Sequence, residues 1–101
     1  MEGTLDRSTN PKTLRLGGEL TVDSAAELQA RLGEAVAMAE PVEVNLEAVT
    51  QVDVTGLQLL TAAERAAEAR GVPWRRSGAV PEGLRRAVEE AGWERIPGEA
   101  A

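Results

Sequence analysis

Hydrophobic and polar positions along the chain follow two periods in turn, the two-residue period of strands and the helical period of three to four residues. Alternation begins at Thr13 and again at Val42, whereas helical spacing begins at Ser24, Thr55 and Pro81. Strands and helices therefore alternate along the chain. This order predicts an α/β fold in which helices cover a sheet with parallel neighbours joined by right-handed crossovers.

The alternating stretches predict three strands. In the first, the Gly17-Gly18 pair indicates a bulge or close packing. The second is a short strand over residues 42–46, and the third, weaker strand over residues 72–76 contains Pro73, which suits an edge position. The predicted core-facing positions of the first strand are Leu14, Leu16, Leu20 and Val22.

Each stretch with helical spacing has a start signal and a stop signal. Ser24 with Glu27 three residues later is a capping-box pattern, and Thr55 with Gln58 repeats it. The predicted helices run from Ser24 to the residue before Pro41, from Thr55 to Gly71, and from Pro81 to Gly92.

The length of 101 residues is that of one ordinary domain. We expect a monomer in which residues 13–96 form the folded unit and residues 1–12 form an arm or a short edge strand. Residues 97–101 have nothing apolar to bury and are predicted to form a loose tail.

Composition argues against an enzyme. The chain has no histidine and no cysteine, which removes the usual general base, the thiolate nucleophile and the commonest soft metal ligands. Neither a Gly-rich phosphate loop nor a metal-binding motif is present in the sequence. We therefore expect no catalytic residues, no metal and no cofactor.

The net charge of −6 and the pI near 4.7 predict repulsion from phosphate backbones, so nucleic-acid binding is not expected. Four arginines, at positions 75, 76, 85 and 86, form either a solvated face or a patch for an acidic partner. No long apolar span and no signal-peptide pattern occur in the sequence, so we expect a cytoplasmic protein without direct membrane insertion.

Thr55 is the candidate regulatory residue, because it stands where a strand gives way to an alanine-rich helix. A hydroxyl there can cap backbone N–H groups, and a phosphate there would lie at the positive end of the helix dipole. Residue chemistry alone leaves both interpretations open. Asp53 has the same two readings, as a helix cap or as a partner contact, whereas Asp23 and Ser24 suit the cap of the first helix.

The segments 14–21, 44–46 and 52–57 together resemble the STAS domain family, whose best-known members are anti-sigma-factor antagonists. The resemblance covers nearly all of residues 13–96 and implies a STAS-like α/β fold, a small mixed β-sheet with helices covering it. Its most specific part is Asp53-Val54-Thr55-Gly56-Leu57, which is similar to the family signature Asp-Ser-Ser/Thr-Gly-Leu. A second landmark is Gly18-Glu19-Leu20.

This resemblance implies a non-enzymatic module that binds a signalling protein, either a serine/threonine kinase of the anti-sigma-factor type or a chemosensory protein. Phosphorylation of Thr55 by a kinase would gate the binding. Val54 departs from the family, which commonly has Ser there. An alternative implied role is that of an accessory subunit docked constitutively on the ATPase of a phospholipid transporter. The implied partner-binding residues are Asp23, Ser24, Asp53, Val54, Thr55, Gly56 and Gln58.

Overall fold

The computed structural model describes residues 1–99, and within them the chain forms four strands, three α helices and one short 3-10 turn. The strands are β1 (Glu2–Asp6), β2 (Lys12–Leu20), β3 (Val42–Val52) and β4 (Trp74–Ser77). The helices are α1 (Ala25–Ala37), α2 (Val54–Ala69) and α3 (Glu82–Glu90), and the 3-10 turn is Val22–Ser24.

The strands form one mixed sheet in the order β1-β2-β3-β4. β1 is antiparallel to β2, whereas β2, β3 and β4 run parallel to one another. Parallel neighbours need crossover connections, and α1 and α2 supply them. The mixed sheet covered by helices that the sequence predicts is therefore confirmed.

Leucine and valine fill the core between the sheet and its helices, as alternation and helical spacing require. In β2, Leu14 and Leu16 are almost completely buried, and Leu20 ends the strand in the core. Val22, predicted to continue this face, is instead 65% exposed. The alternation stops applying because the chain leaves the sheet and enters the 3-10 turn at that residue.

β3 is much longer than the predicted strand over residues 42–46, since it continues to Val52. β4 pairs only with its first part, from Val42 to Asn45, and beyond that point β3 is paired only with β2. The exposed residues in this second part interrupt the apolar alternation, which is why the sequence pattern ends early. The long strand delivers the chain directly to Asp53.

The pairing of β2 with β3 is irregular where the sequence predicts a bulge. The register shifts between Arg15 and Gly17 and again between Gly18 and Glu19. Gly18 has a φ of 77°, a conformation that glycine adopts without strain. The bulge at the Gly17-Gly18 pair is thereby confirmed.

Helix α3 ends in a Schellman motif. Gly92 has a φ of 74°, its N–H donates to the carbonyl of Glu89, and the N–H of Trp93 donates to the carbonyl of Val88. Trp93 is partly buried against the core. The motif turns the chain back toward α2.

The sequence predicts a loose tail over residues 97–101, but residues 97 and 98 pack against the rest of the domain. Pro97 and Gly98 are buried, and the carbonyl of Gly98 accepts a hydrogen bond from the N–H of Arg76 at 2.9 Å. This segment stays packed because it hydrogen-bonds to backbone and side-chain groups on β4 and α2, although it has little apolar surface of its own. Residues 100 and 101 lie outside the described residues.

A candidate partner-binding site at the start of helix α2

Asp53 joins the two loops that surround the candidate site. It follows β3 in extended backbone, and its Oδ1 accepts a hydrogen bond from the N–H of Gly56 at 2.9 Å, which caps α2. Its Oδ2 accepts from the N–H of Val22, also at 2.9 Å. The carboxylate therefore holds the turn after β2 against the start of α2.

Thr55 lies inside the first turn of α2, because the helix begins at Val54 and Asp53 occupies the cap position. The predicted capping box of Thr55 with Gln58 is therefore wrong. Asp53 caps the helix instead because its extended backbone lets the short carboxylate reach the N–H three residues ahead.

The Thr55 side chain is half-buried. Among residues 1–99, its hydroxyl has no hydrogen-bond partner. The hydroxyl is also not one of the unpaired polar atoms that the fold seals from solvent. The hydroxyl thus keeps contact with solvent at the N-terminal end of a helix, where N–H groups and the helix dipole favour negative charge.

Gly56 has a structural position and not the surface position that the resemblance implies. It is buried, and a Cβ at this residue would collide with the carbonyl oxygen of Leu20, at the end of β2. Leu57, next along the helix, is completely buried in the core. The signature therefore contains both residues that anchor α2 to the sheet and residues that face outward.

The outward-facing residues form a surface that we name the rim, consisting of Val22, Asp23, Val54, Thr55 and Gln58. Val22 and Val54 are 65% and 54% exposed, and they are the large hydrophobic residues that stand out as exposed within residues 1–99. Asp53 connects them, since it hydrogen-bonds to Val22 and directly precedes Val54. Burying these two side chains against a partner would be favourable.

Sequence reasoning missed Val22 as a rim residue. Its place in the alternation predicted a core position, and the signal that could have corrected this is the run Thr21-Val22-Asp23-Ser24, in which polar residues surround one valine. Polar residues that compete for backbone hydrogen bonds favour a turn. A turn would have released the valine from the sheet face.

Ser24 contributes to the turn and not to the helix cap predicted for it. Its hydroxyl donates to the carbonyl oxygen of Glu19 at 2.8 Å and accepts from the N–H of Thr21 at 3.1 Å, while it makes no capping hydrogen bond to α1. The predicted capping box with Glu27 is therefore wrong. The hydrogen bonds of the hydroxyl therefore link the 3-10 turn to the end of β2.

A shallow depression beside the rim is acidic. Its lining includes the carboxylates of Glu19, Asp23 and Glu27, all three on exposed residues. A negative group added at Thr55 would therefore enlarge a field that is already negative on this side of the molecule.

Two further observations bear on the kind of site. Within the described part of the chain, no group of three or more His, Cys, Asp or Glu residues is placed to hold a metal ion. No helix within residues 1–99 combines the length and apolar character needed to cross a bilayer.

Comparison with known proteins places this chain in a family. A family model described as "Mlab, STAS domain" matches residues 4–98, and the chain therefore belongs to the STAS domain family. The matched region includes β1 and the buried Pro97 and Gly98. No curated protein matches the chain.

Among solved structures, the chain is similar to the anti-sigma factor antagonist SpoIIAA in its unphosphorylated form. The TM-score is 0.61 with 23% sequence identity, over 91% of this chain and 84% of that one. At this identity the similarity establishes a shared fold. Together with the family match, it agrees with a regulatory module that acts by protein interaction.

Proposed function

We propose that this chain is a non-enzymatic regulatory module that binds a protein partner through the rim, and that phosphorylation of Thr55 weakens the binding. The observation that carries the proposal is that Val22 and Val54, two exposed apolar residues, lie at the two loops joined by Asp53, next to a half-buried threonine whose hydroxyl is not sealed from solvent. Covering the two valines favours association, and a partner that covers Val54 contacts the helix turn that carries Thr55.

The gate follows from charge and desolvation. Phosphorylation adds about −1.5 to −2 charges at pH 7 and three acceptor oxygens. In the free protein, water and the N-terminal N–H groups of α2 stabilise this charge. In a complex the phosphate would lose water against apolar surface, and its repulsion from nearby Asp53, whose oxygens are already engaged, would be screened less than in the free domain, so phosphorylation disfavours the complex.

The proposed partner is a cytoplasmic serine/threonine kinase of the anti-sigma-factor type or a chemosensory signalling protein. A kinase is favoured because one protein would then both occupy the rim and modify it. Val54 replaces a hydroxyl residue with an apolar one, which adds to the hydrophobic contact area and leaves Thr55 as the phosphorylation site within the signature.

A second candidate is constitutive docking on the ATPase of a phospholipid transporter. The family resemblance implies this role, and the matching family model, described as "Mlab, STAS domain", is consistent with a small STAS protein of that kind. In that function Thr55 would be a contact residue, and its modification would have no regulatory part.

One experiment separates the two candidates. The purified protein is incubated with ATP and each candidate kinase, and phosphate on Thr55 is measured by mass spectrometry. Binding to each kinase and to the transporter ATPase is then measured for the wild type, Thr55→Glu and Thr4→Glu. Thr4 is an exposed residue of β1 outside the rim, so its variant makes the same charge change elsewhere.

For the phosphorylation gate, we expect modification of Thr55 and a loss of affinity of at least about tenfold in Thr55→Glu, with Thr4→Glu unchanged. Tight binding to the ATPase that Thr55→Glu leaves intact supports the constitutive function instead. Equal affinity of all three proteins for a kinase, with no phosphate on Thr55, contradicts the gate.

A further inference from the structure

Residues 93–99 lie outside the helices and strands, yet their polar contacts converge on one carboxylate of α2. Glu64 accepts hydrogen bonds from the two terminal nitrogens of Arg95, at 2.8 and 2.6 Å, and from the N–H of Gly98 at 3.0 Å. Arg95 also donates to the carbonyl oxygen of Glu99 at 2.6 Å. Charge-assisted, bidentate contacts of this kind are the strong ones among protein hydrogen bonds.

The segment covers the outer edge of β4. The N–H of Arg76 has no partner within the sheet and donates instead to the carbonyl of Gly98. Pro97 and Gly98 line a small cavity together with the core residues Val44, Leu46 and Leu60 and the partly buried Trp74. Both the edge and this part of the core depend on the segment for cover.

The apolar attachment of the segment is small beyond Trp93. Trp93 is fixed separately, by the Schellman motif of α3. From there on, Ile96 is only partly buried, and Pro97 supplies the remaining buried apolar side chain within residues 94–99. The contacts to Glu64 therefore decide whether this stretch stays in place.

We propose that Glu64 and Arg95 form a latch that holds residues 94–99 over β4, and that neutralising the Glu64 carboxylate releases this segment while the rest of the fold stays intact. The latch is independent of the phosphorylation gate. Glu64 is nine residues from Thr55 along α2, about 13 Å at the rise of an α helix.

The charges around Glu64 set the direction of its pH response. The hydrogen bond from Arg95 is the largest of the causes that hold the pKa of Glu64 below its ordinary value of 4.5, and Gly98 and Arg65 add to it against the opposing effect of burial. On the other side of the latch, Glu64 raises the pKa of Arg95, with Glu99 and Glu68 adding smaller effects.

Because the folded-state pKa of Glu64 is lowered, the stabilisation is fully present above its ordinary pKa and is lost as pH falls through the lowered value. The latch is therefore closed at neutral pH and opens in acid. Once it opens, the N–H of Arg76 loses its partner, and an unpaired sheet edge is where another strand can add.

Hydrogen exchange of single amides, read by NMR and corrected for intrinsic rates, tests the latch in the full chain. Glu64→Gln removes the charge, and Glu27→Gln is the matched control, since Glu27 is an exposed residue of α1 that lies outside the latch. The reporter is the amide of Arg76, because it bonds to Gly98 and not to Glu64. The amide of Leu60, in the middle of α2, reports global unfolding.

At pH 7 we expect Glu64→Gln to speed exchange at Arg76 at least about tenfold, with Leu60 unchanged and Glu27→Gln like the wild type. Lowering the pH through the lowered pKa of Glu64 should speed exchange at Arg76, relative to Leu60, more in the wild type than in the Glu64→Gln protein. Faster exchange at Gly98 alone means a lost hydrogen bond and no latch. Equal acceleration at Arg76 and Leu60 means general destabilisation, which also overturns the proposal.

Discussion

Asp53 and Thr55 are two residues apart, and the start of α2 gives their side chains opposite surroundings. Both oxygens of Asp53 accept backbone hydrogen bonds within the domain, whereas the hydroxyl of Thr55 makes none within residues 1–99. The difference arises because Asp53 is still in extended backbone and can reach back to Val22 and ahead to Gly56. Thr55 is already helical, and its side chain projects from the first turn.

Replacing Asp53 by alanine should therefore lower stability. The change removes the cap of α2 and the bridge to Val22, for which we expect a loss of about 1–2 kcal/mol in the free energy of unfolding. Chemical denaturation measures this quantity. The matched control is Asp23→Ala, an exposed acid of the same rim, which should stay within about 0.5 kcal/mol of the wild type. Equal stability of the two variants would contradict the bridging role.

At the scale of elements, the close approach of α2 to β2 decides how the site is built. Gly56 lies against the carbonyl of Leu20, and the N–H of Asp53 donates to that same oxygen at 3.2 Å. The helix start is thereby locked to the end of a strand. Because α2 begins against the sheet and not in a free loop, the rim is held in place before any partner binds.

Two glycine-to-alanine changes test this contact between elements. Gly56→Ala should destabilise the protein by roughly 1–3 kcal/mol, because the added methyl group meets backbone that cannot move aside. Gly33→Ala, in α1, meets nothing within 4 Å and should instead stabilise the protein by roughly 0.5–1 kcal/mol. Thermal and chemical denaturation of both variants measure the two changes, and a stabilising Gly56→Ala would refute the contact.

The elements also show what the sequence could predict and what it could not. The core strands and all three helices follow from hydrophobic period and stop signals, because both depend on neighbours within one element. The second half of β3 and the buried Pro97 escape this reasoning. The second half of β3 is held by pairing with β2, and the segment that contains Pro97 is held by hydrogen bonds to Glu64. Both partners lie far away in sequence and leave no mark on the local pattern.

The site divides in the same way. The strand-to-helix boundary singles out Thr55, and the family resemblance adds its regulatory role. The capping prediction is wrong because Thr-x-x-Gln and Asp-x-x-Gly are both acceptable helix starts. The exposure of Val22 depends on where β2 ends, and strand ends are poorly specified by alternation. Its hydrogen bond to Asp53 is a long-range contact that only the fold reveals.

At the scale of the whole molecule, the proposed gate acts on affinity and leaves the fold unchanged. Thr55→Glu places a charge in the first turn of α2, which the helix dipole favours, and its side chain has access to solvent. We expect the free energy of unfolding to change by less than about 0.5 kcal/mol, measured by denaturation. A loss of several kcal/mol would mean that reduced binding by this variant reflects unfolding.

Val22 and Asp53 are separated by 31 residues in sequence, and one hydrogen bond brings their two segments together. A protein that binds the rim therefore recognises a discontinuous epitope. A synthetic peptide copied from either segment would present half of that epitope and compete poorly with the intact domain. Nascent or damaged chains would escape the partner for the same reason, so recognition reports the concentration of correctly folded molecules.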